Sequence, residues 1–202
     1  MPDSLATLKA ELEQFGLDHD AAATDRPSRM LNITRDTGEF LAVLILATEA
    51  RRILEIGTSN GYSTLWLAEA ATKIGGQVTT IEFAEWKYNL ALANFARSGL
   101  SSVIQPIHGD AGPFLASCAD AAYDLLFLDS ERTEYDGWWP DLRRVIRPGG
   151  LLVVDNAVSH GHQITHFVAR LNADPEFTTC LIPVGKGEFM AVRAPAMPQR
   201  IF

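Results

Sequence analysis

Apolar residues fall along this chain in short blocks separated by stretches of helical period. Five blocks, Arg52–Gly57 (RILEIG), Gln77–Glu82 (QVTTIE), Ile104–Gly109 (IQPIHG), Asp124–Asp129 (DLLFLD) and Leu151–Asp155 (LLVVD), are bounded by turn or acidic residues. Short, almost continuous apolar runs of this kind predict strands covered on both faces. Between and around them lie helical patterns. Leu5, Leu8, Leu12 and Phe15 mark one face of an N-terminal helix, and Thr37–Ala50 is apolar nearly all round, which predicts a buried helix. Tyr62–Ala71 follows the first strand, and Glu85–Ser98 follows the second and closes at Gly99, a C-cap residue. Trp138–Ile146 runs into Pro148-Gly149-Gly150, a stop before the fifth strand. Ile164, Phe167, Val168 and Leu171 form a last helical stripe, and Thr178–Val184 with Glu188–Arg193 reads as a hairpin about Gly185 and Gly187.

Strand–helix alternation over residues 52 to 173 predicts an α/β fold: a mostly parallel sheet with right-handed crossovers, closed by an antiparallel edge. At 202 residues the chain is long enough for one domain with its own core, the α/β part spanning 51–202 and N-terminal helices filling 1–50. The net charge of −8 argues against a nucleic-acid or anionic-membrane surface. No apolar run approaches the ~18 residues of a membrane span. Met1–Phe15 carries acids and lacks the apolar core of a secretory leader. Cys118 and Cys180 lack metal spacing and suit a reducing compartment, so a cytoplasmic location is expected.

Ligands of such sheets bind beyond the carboxyl ends of the strands. Those ends hold Gly57, Glu82, Asp110, Asp129 and Asp155-Asn156. The loop from Glu55 to Ser63 has G-x-x-x-G spacing, which is neither the G-x-G-x-x-G of dinucleotide binders nor a phosphate loop with its Lys. Glu82 ends the second strand, where a carboxylate accepts both hydroxyls of a ribose. A nucleoside without phosphates fits this arrangement. Asp129, Asp155 and Asn156 end adjacent strands. Two carboxylates and an amide oxygen are hard ligands that suit Mg²⁺ or Ca²⁺. A cation would also relieve the repulsion between the two acids. The metal-free alternative has Asp129 contact a ligand amino group and Asp155 cap the next helix.

The stretch LEIGTSNGYSTLWLA resembles motif I of class I S-adenosylmethionine-dependent methyltransferases, in the form of the catechol and caffeoyl-CoA O-methyltransferases. The likeness continues through Ile81-Glu82, Gly109-Asp110-Ala111, Phe127-Leu128-Asp129, Arg147-Pro148-Gly149-Gly150, Asp155-Asn156 and Pro183-Val184-Gly185-Lys186-Gly187, nearly the whole chain. It implies a Rossmann-like three-layer sandwich with a seven-stranded, mostly parallel sheet. It implies S-adenosylmethionine as cofactor, held by the Glu55, Gly57 and Thr58 loop, with Ser63 on the carboxylate and Glu82 on the ribose. Phe83, Asp110 and Ala111 would border the adenine, and Asp129 would lie beside the cofactor. The same likeness makes Asp129, Asp155 and Asn156 ligands of a divalent cation, Mg²⁺ first, with Ca²⁺ or Mn²⁺ as alternatives. The implied acceptor is a small aromatic vicinal diol, methylated on oxygen. The resemblance further implies a homodimer and a lid segment, Met30–Thr34, passing over cofactor and substrate.

One position departs from the family. A Lys three residues after the first metal Asp serves there as candidate base, and here it is Arg132. A guanidinium stays protonated and cannot take the proton. Arg132 would then stabilise a phenolate, leaving the metal to acidify the hydroxyl or His160 or His162, in the loop after Asn156, to take the proton, unless both are solvated loop residues. Trp138 and Trp139 offer either an aromatic wall or core packing. Arg26, Arg29 and Arg35 offer either an anion site on the acceptor or solvated charge. His108 reads as structural, and His19 and His166 have no visible partner. Two rival readings stay open: a metal-independent methyltransferase, and a cofactor-binding protein without turnover. The missing third glycine disfavours an NAD oxidoreductase.

Overall fold

The computed structural model describes residues 4–196. Seven strands, β1 (Arg52–Ile56), β2 (Gln77–Glu82), β3 (Ile104–His108), β4 (Tyr123–Leu128), β5 (Ile146–Val154), β6 (Phe177–Ile182) and β7 (Glu188–Arg193), form one sheet in the order β3-β2-β1-β4-β5-β7-β6. The first five run parallel, and β7 lies antiparallel between β5 and β6. The predicted strands and hairpin are all present.

Each apolar run divides its residues between two cores, because successive side chains point to opposite faces. Leu125 and Phe127 of β4 join Ile53 and Val153 under one helical layer, while Leu126 and Leu128 join Leu54, Ile56 and Val154 under the other. The first layer holds α1 (Leu5–Ala22), α2 (Arg35–Thr48), α3 (Tyr62–Lys73) and α4 (Glu85–Ser98). The second holds α5 (Ala111–Ser117), α6 (Tyr135–Val145) and α7 (Gly161–Ala173). Strand order reverses between β1 and β4, so the crevice of the fold opens beyond their carboxyl ends. Among the described residues no helix is long and apolar enough to cross a membrane.

Several details differ from the sequence-based expectation. The helix over 37–50 is not buried all round: α2 buries Thr37, Gly38, Leu41 and Ile45, but Val43 is 66% exposed and Leu46 38%. It is an outer-layer helix, packed on α3 with its other side uncovered. In α1, Phe15 is 41% exposed, and Lys9 is buried instead, its Nζ 3.4 Å above the Trp66 ring and 2.6 Å from Glu69. Apolar spacing alone hides a Lys whose stem packs while its charge finds an aromatic face.

Helix α5 was unforeseen. Gly112 and Pro113 in its first turn mask it, although Asp110 caps it by accepting from Gly112 N–H at 2.8 Å. Helix α6 begins three residues before Trp138 and carries Pro140 inside. Pro140 has no N–H for the Asp136 carbonyl, and Arg170 Nη1 donates to that oxygen at 3.2 Å. The Pro148-Gly149-Gly150 stop ends α6 but sits within β5. The register there slips from Tyr123↔Ile146 to Leu125↔Leu151, with Gly149 at φ +73°.

Candidate active site

Gly57 turns the chain off β1 at φ +108°, and a Cβ there would collide with the Asp129 carbonyl oxygen. Only glycine lets β1 leave the sheet so close to β4. The loop it starts folds over Glu55, a fully buried carboxylate on the α3 side of β1. Register sets Glu55 opposite Thr80 of β2. Its oxygens accept from Ser63 Oγ at 2.6 Å, Thr80 Oγ1 at 2.6 Å and Thr64 Oγ1, and the Thr58 and Thr80 hydroxyls bond at 2.6 Å. Burial nevertheless lifts Glu55 to a pKa of about 7, against the pull of those hydroxyls. Glu55 therefore anchors the loop from below, and the Ser63 hydroxyl donates its hydrogen bond to Glu55. At the end of β2, Glu82 accepts from Ser59 N–H at 2.8 Å and Ala84 N–H at 2.9 Å. The carboxylate is held still, with lone pairs left for a ligand's hydroxyls.

A cavity of about 620 Å³ opens above these strand ends. Gly57, Thr58, Ser63, Glu82, Phe83, Asp110, Ala111, Asp129 and Arg132 line it, so these sequence-predicted positions meet in one place. Phe83 is 76% exposed and stands at the rim. Met30–Ile33 also line it. Met30 and Leu31 N–H donate to Asp20 at 2.6 and 2.8 Å, and Ser59 Oγ donates to the Met30 carbonyl at 2.7 Å. The aromatic pair divides: Trp138 lines the cavity, whereas Trp139 is core, 5.8 Å from Phe167 and 5.2 Å from Phe177. The three arginines divide too. Arg26 lines the cavity and Arg35 pairs with Glu13 at 3.2 Å, away from it. Arg29 offers its carbonyl to Lys87 Nζ at 2.6 Å, and Lys87, missed in the sequence, is a further lining residue.

Asp129, Asp155 and Asn156 are brought together as expected. Asn156 Nδ2 lies 3.5 Å from Asp129 Oδ1 and donates to Asp155 Oδ2. Asp155 and Asn156 are buried beside the cavity rather than lining it. Asn156 adopts φ +63°, a conformation Asn tolerates better than most residues. Burial and the charge of Asp155 hold the Asp129 carboxyl well above the usual range, opposed by Arg132. Arg132 is itself buried, with Nη1 3.4 Å from Gln163 Oε1 and Nε without a protein partner. His160 stands just before α7 and outside the cavity lining, its Nδ1 2.9 Å from Ser159 Oγ. Burial, then Arg132, lowers its pKa.

Sequence reasoning missed Glu188, the first residue of β7. It is fully buried, with Oε1 accepting from Thr37 Oγ1 at 3.1 Å and Oε2 unpartnered. Burial and Asp155 push its pKa up to about 10. Its signal was an acid opening an apolar strand.

Among the described residues no three His, Cys, Asp or Glu side chains form a group able to hold an ion. The donor set nevertheless fits a hard divalent cation if Asn156 contributes its amide oxygen. That needs only a half-turn of the amide, which leaves Ser159 Oγ, 3.2 Å from Oδ1, as acceptor of the rotated NH₂.

The reversed strand order and the glycine turn over an acid-tipped β2 define a class I methyltransferase fold. The chain belongs to the O-methyltransferase family, whose model matches residues 9–194. It is 34% identical over 129 residues to a catechol O-methyltransferase of Mycobacterium tuberculosis, a match covering 64% of this chain and 58% of that protein. Against a second catechol O-methyltransferase, from Niastella koreensis, it likewise spans only 60% of the relative's length. It is 28% identical to caffeoyl-CoA O-methyltransferase 2 of Populus trichocarpa, covering 80% of this chain and 74% of that one. The O-methyltransferase from Bacillus cereus in complex with SAH superposes with a TM-score of 0.78 at 27% identity, covering 92% of this chain and 90% of the other.

Proposed function

We propose that the protein transfers a methyl group from S-adenosylmethionine to one hydroxyl of a small aromatic vicinal diol, with a divalent cation, Mg²⁺ first, at Asp129, Asp155 and Asn156. One observation carries the reading. A single crevice joins a ribose-ready carboxylate, Glu82 on its two backbone N–H donors, to a cluster of hard oxygens two strands away.

S-adenosylmethionine supplies an electrophilic methyl carbon on a positively charged sulfur. A cation held by Asp129, Asp155 and Asn156 would supply Lewis acidity to the acceptor hydroxyls. The chain's own residues do the rest. Glu82 takes the ribose hydroxyls, and the first turn of α3, with N–H groups lacking intrahelical partners, takes the carboxylate. Phe83, Asp110 and Ala111 border the base, and Met30–Ile33 cover the pair and exclude water. Trp138 gives a planar acceptor a wall. Arg132 stabilises the developing oxygen charge and, being always protonated, takes no proton. With Arg132 unable to accept, His160, outside the cavity lining and with its neutral form favoured by burial and then by Arg132, is the remaining proton acceptor. Holding both reactants in line is the main source of rate.

The test is a screen of catechols, phenylpropanoids and flavonoids with methyl-labelled cofactor, with Mg²⁺ and with chelator. Labelled ether formed with Mg²⁺ and lost with chelator is the expected result. Transfer indifferent to chelator would replace the metal reading with a metal-independent one. Cofactor binding without transfer to any acceptor would leave a binding protein.

A further inference from the structure

Residues 29–34 have no secondary structure of their own, so the backbone of the segment over the cavity must find its partners elsewhere. Three other elements supply them. From α4, Lys87 Nζ donates to the Arg29 carbonyl at 2.6 Å. From α1, Asp20 accepts from Met30 and Leu31 N–H at 2.6 and 2.8 Å, and the Leu12 carbonyl accepts from Asn32 Nδ2 at 2.9 Å. From the loop after β1, Ser59 Oγ donates to the Met30 carbonyl at 2.7 Å. Ser59 also uses its backbone, whose N–H donates to Glu82 Oε2 at 2.8 Å. One residue thus bonds the cover through its side chain and the acid ending β2 through its main chain. Two residues at this junction, Ser59 at φ +50° and Leu31 at φ +55°, hold a left-handed backbone that side chains disfavour. Such strain persists only where surrounding contacts over-determine it, and it gathers at ligand clamps.

We propose that Ser59 is a positioning residue that couples the cofactor's ribose to the cover. This rests on the reading of Glu82 as the ribose acceptor. A ribose on Glu82 steadies that carboxylate, the carboxylate steadies the Ser59 N–H, and the Ser59 hydroxyl keeps Met30 seated. In the other direction, a cover that lifts at Met30 frees Ser59 and loosens the acid that grips the ribose. Cofactor affinity and closure of Met30–Ile33 therefore rise and fall together, as linkage requires. Ser59 acts here through Glu82 and Met30, without touching the reacting atoms.

The experiment follows two quantities in the full-length protein. One is amide hydrogen exchange of the peptide holding Met30 and Leu31, without ligand, and the other is S-adenosylhomocysteine affinity by calorimetry. Both are measured for wild type, Ser59→Ala, Glu82→Ala and the double variant. Alanine keeps a Cβ, so at position 59 only the hydroxyl is lost. Ser59→Ala should speed the exchange about 3–10-fold, the effect of one neutral hydrogen bond, and weaken S-adenosylhomocysteine binding by a similar factor. Glu82 bonds to Ser59 and Ala84 rather than to the cover, yet Glu82→Ala should speed the same exchange. The double variant should exchange no faster than Ser59→Ala. A merely structural Ser59 would give independent effects that multiply in the double variant, and that result overturns the inference. Glu82→Ala decides the matter if Ser59→Ala does not fold: weakened S-adenosylhomocysteine binding with exchange unchanged overturns the coupling and leaves the ribose reading standing. Binding equal to wild type in Glu82→Ala overturns both.

Discussion

The crevice has two walls, finished differently. On the β1–β2 wall the chain itself satisfies each carboxylate: Glu55 meets three hydroxyls and Glu82 two backbone N–H groups. On the β4–β5–β7 wall Asp129, Asp155 and Glu188 crowd one another, and Glu188 Oε2 and Arg132 Nε are buried without protein partners. The first wall is rigid before any ligand arrives, as hydroxyl recognition requires. The second crowds buried carboxyls, with Asp129 and Glu188 held toward their neutral forms, and a species that binds it in the folded state adds stability by mass action. One wall is built to recognise, the other to be completed.

The sharpest break of this contrast is Asp155→Asn. It should lower methyl transfer on the order of 10²–10³-fold, while the cofactor dissociation constant, measured by calorimetry, moves less than about threefold. Equal losses of turnover and cofactor affinity would mean that the walls are not separable. Gly57→Ala attacks the seam between them. Its φ of +108° and the collision with the Asp129 carbonyl should cost at least about 2 kcal/mol in thermal unfolding.

Glu82→Ala tests the finished wall alone. Removing a charged acceptor should weaken cofactor binding about 10–50-fold, or about 1.4–2.3 kcal/mol, with Mn²⁺ affinity unchanged. Arg132→Ala sharpens the other side: a roughly tenfold or greater fall in kcat is expected if the guanidinium steadies the acceptor oxygen, and unchanged turnover removes it from the mechanism.

The smallest effect lies at the opposite end of the sheet and serves as a control. Burial disfavours ionised Asp124, but hydrogen bonds from Arg52, including its backbone N–H, and from Arg147 outweigh it and hold the carboxyl down to about 2. A depressed folded-state pKa means stability that is present above the unfolded value of 3.8 and lost as pH falls toward 2. Solvent screens the half-exposed arginines, so the contribution is about 1 kcal/mol. Asp124→Asn should flatten the acid limb of the melting curve between about pH 5 and about pH 2 without altering cofactor or ion binding.

Much of this was readable from the chain. Short continuous apolar runs marked the strands and 3.6-residue periods most of the helices, because both signals lie in neighbouring residues of the chain. The turn at Gly57, the acid ending β2 and the paired acids after β4 and β5 could be read as a site because parallel strands gather their carboxyl ends. Other features had no local trace. Thr37–Ala50 is apolar nearly all round whether or not anything covers Val43. Trp138 and Trp139 are neighbours that face a cavity and a core respectively, a choice made by α7 and β6. Arg26, Arg29 and Arg35 share a stretch, yet only Arg26 lines the cavity.

Sequence alone therefore determined the strands, most of the helices, their order and the acidic strand ends, since those follow from short-range sterics and periodicity. Tertiary structure alone decided that Glu188, far along the chain in a closing hairpin, stands opposite Asp155 and beside Thr37. Which distant residues meet depends on strand pairing and layer packing, and no single segment encodes that.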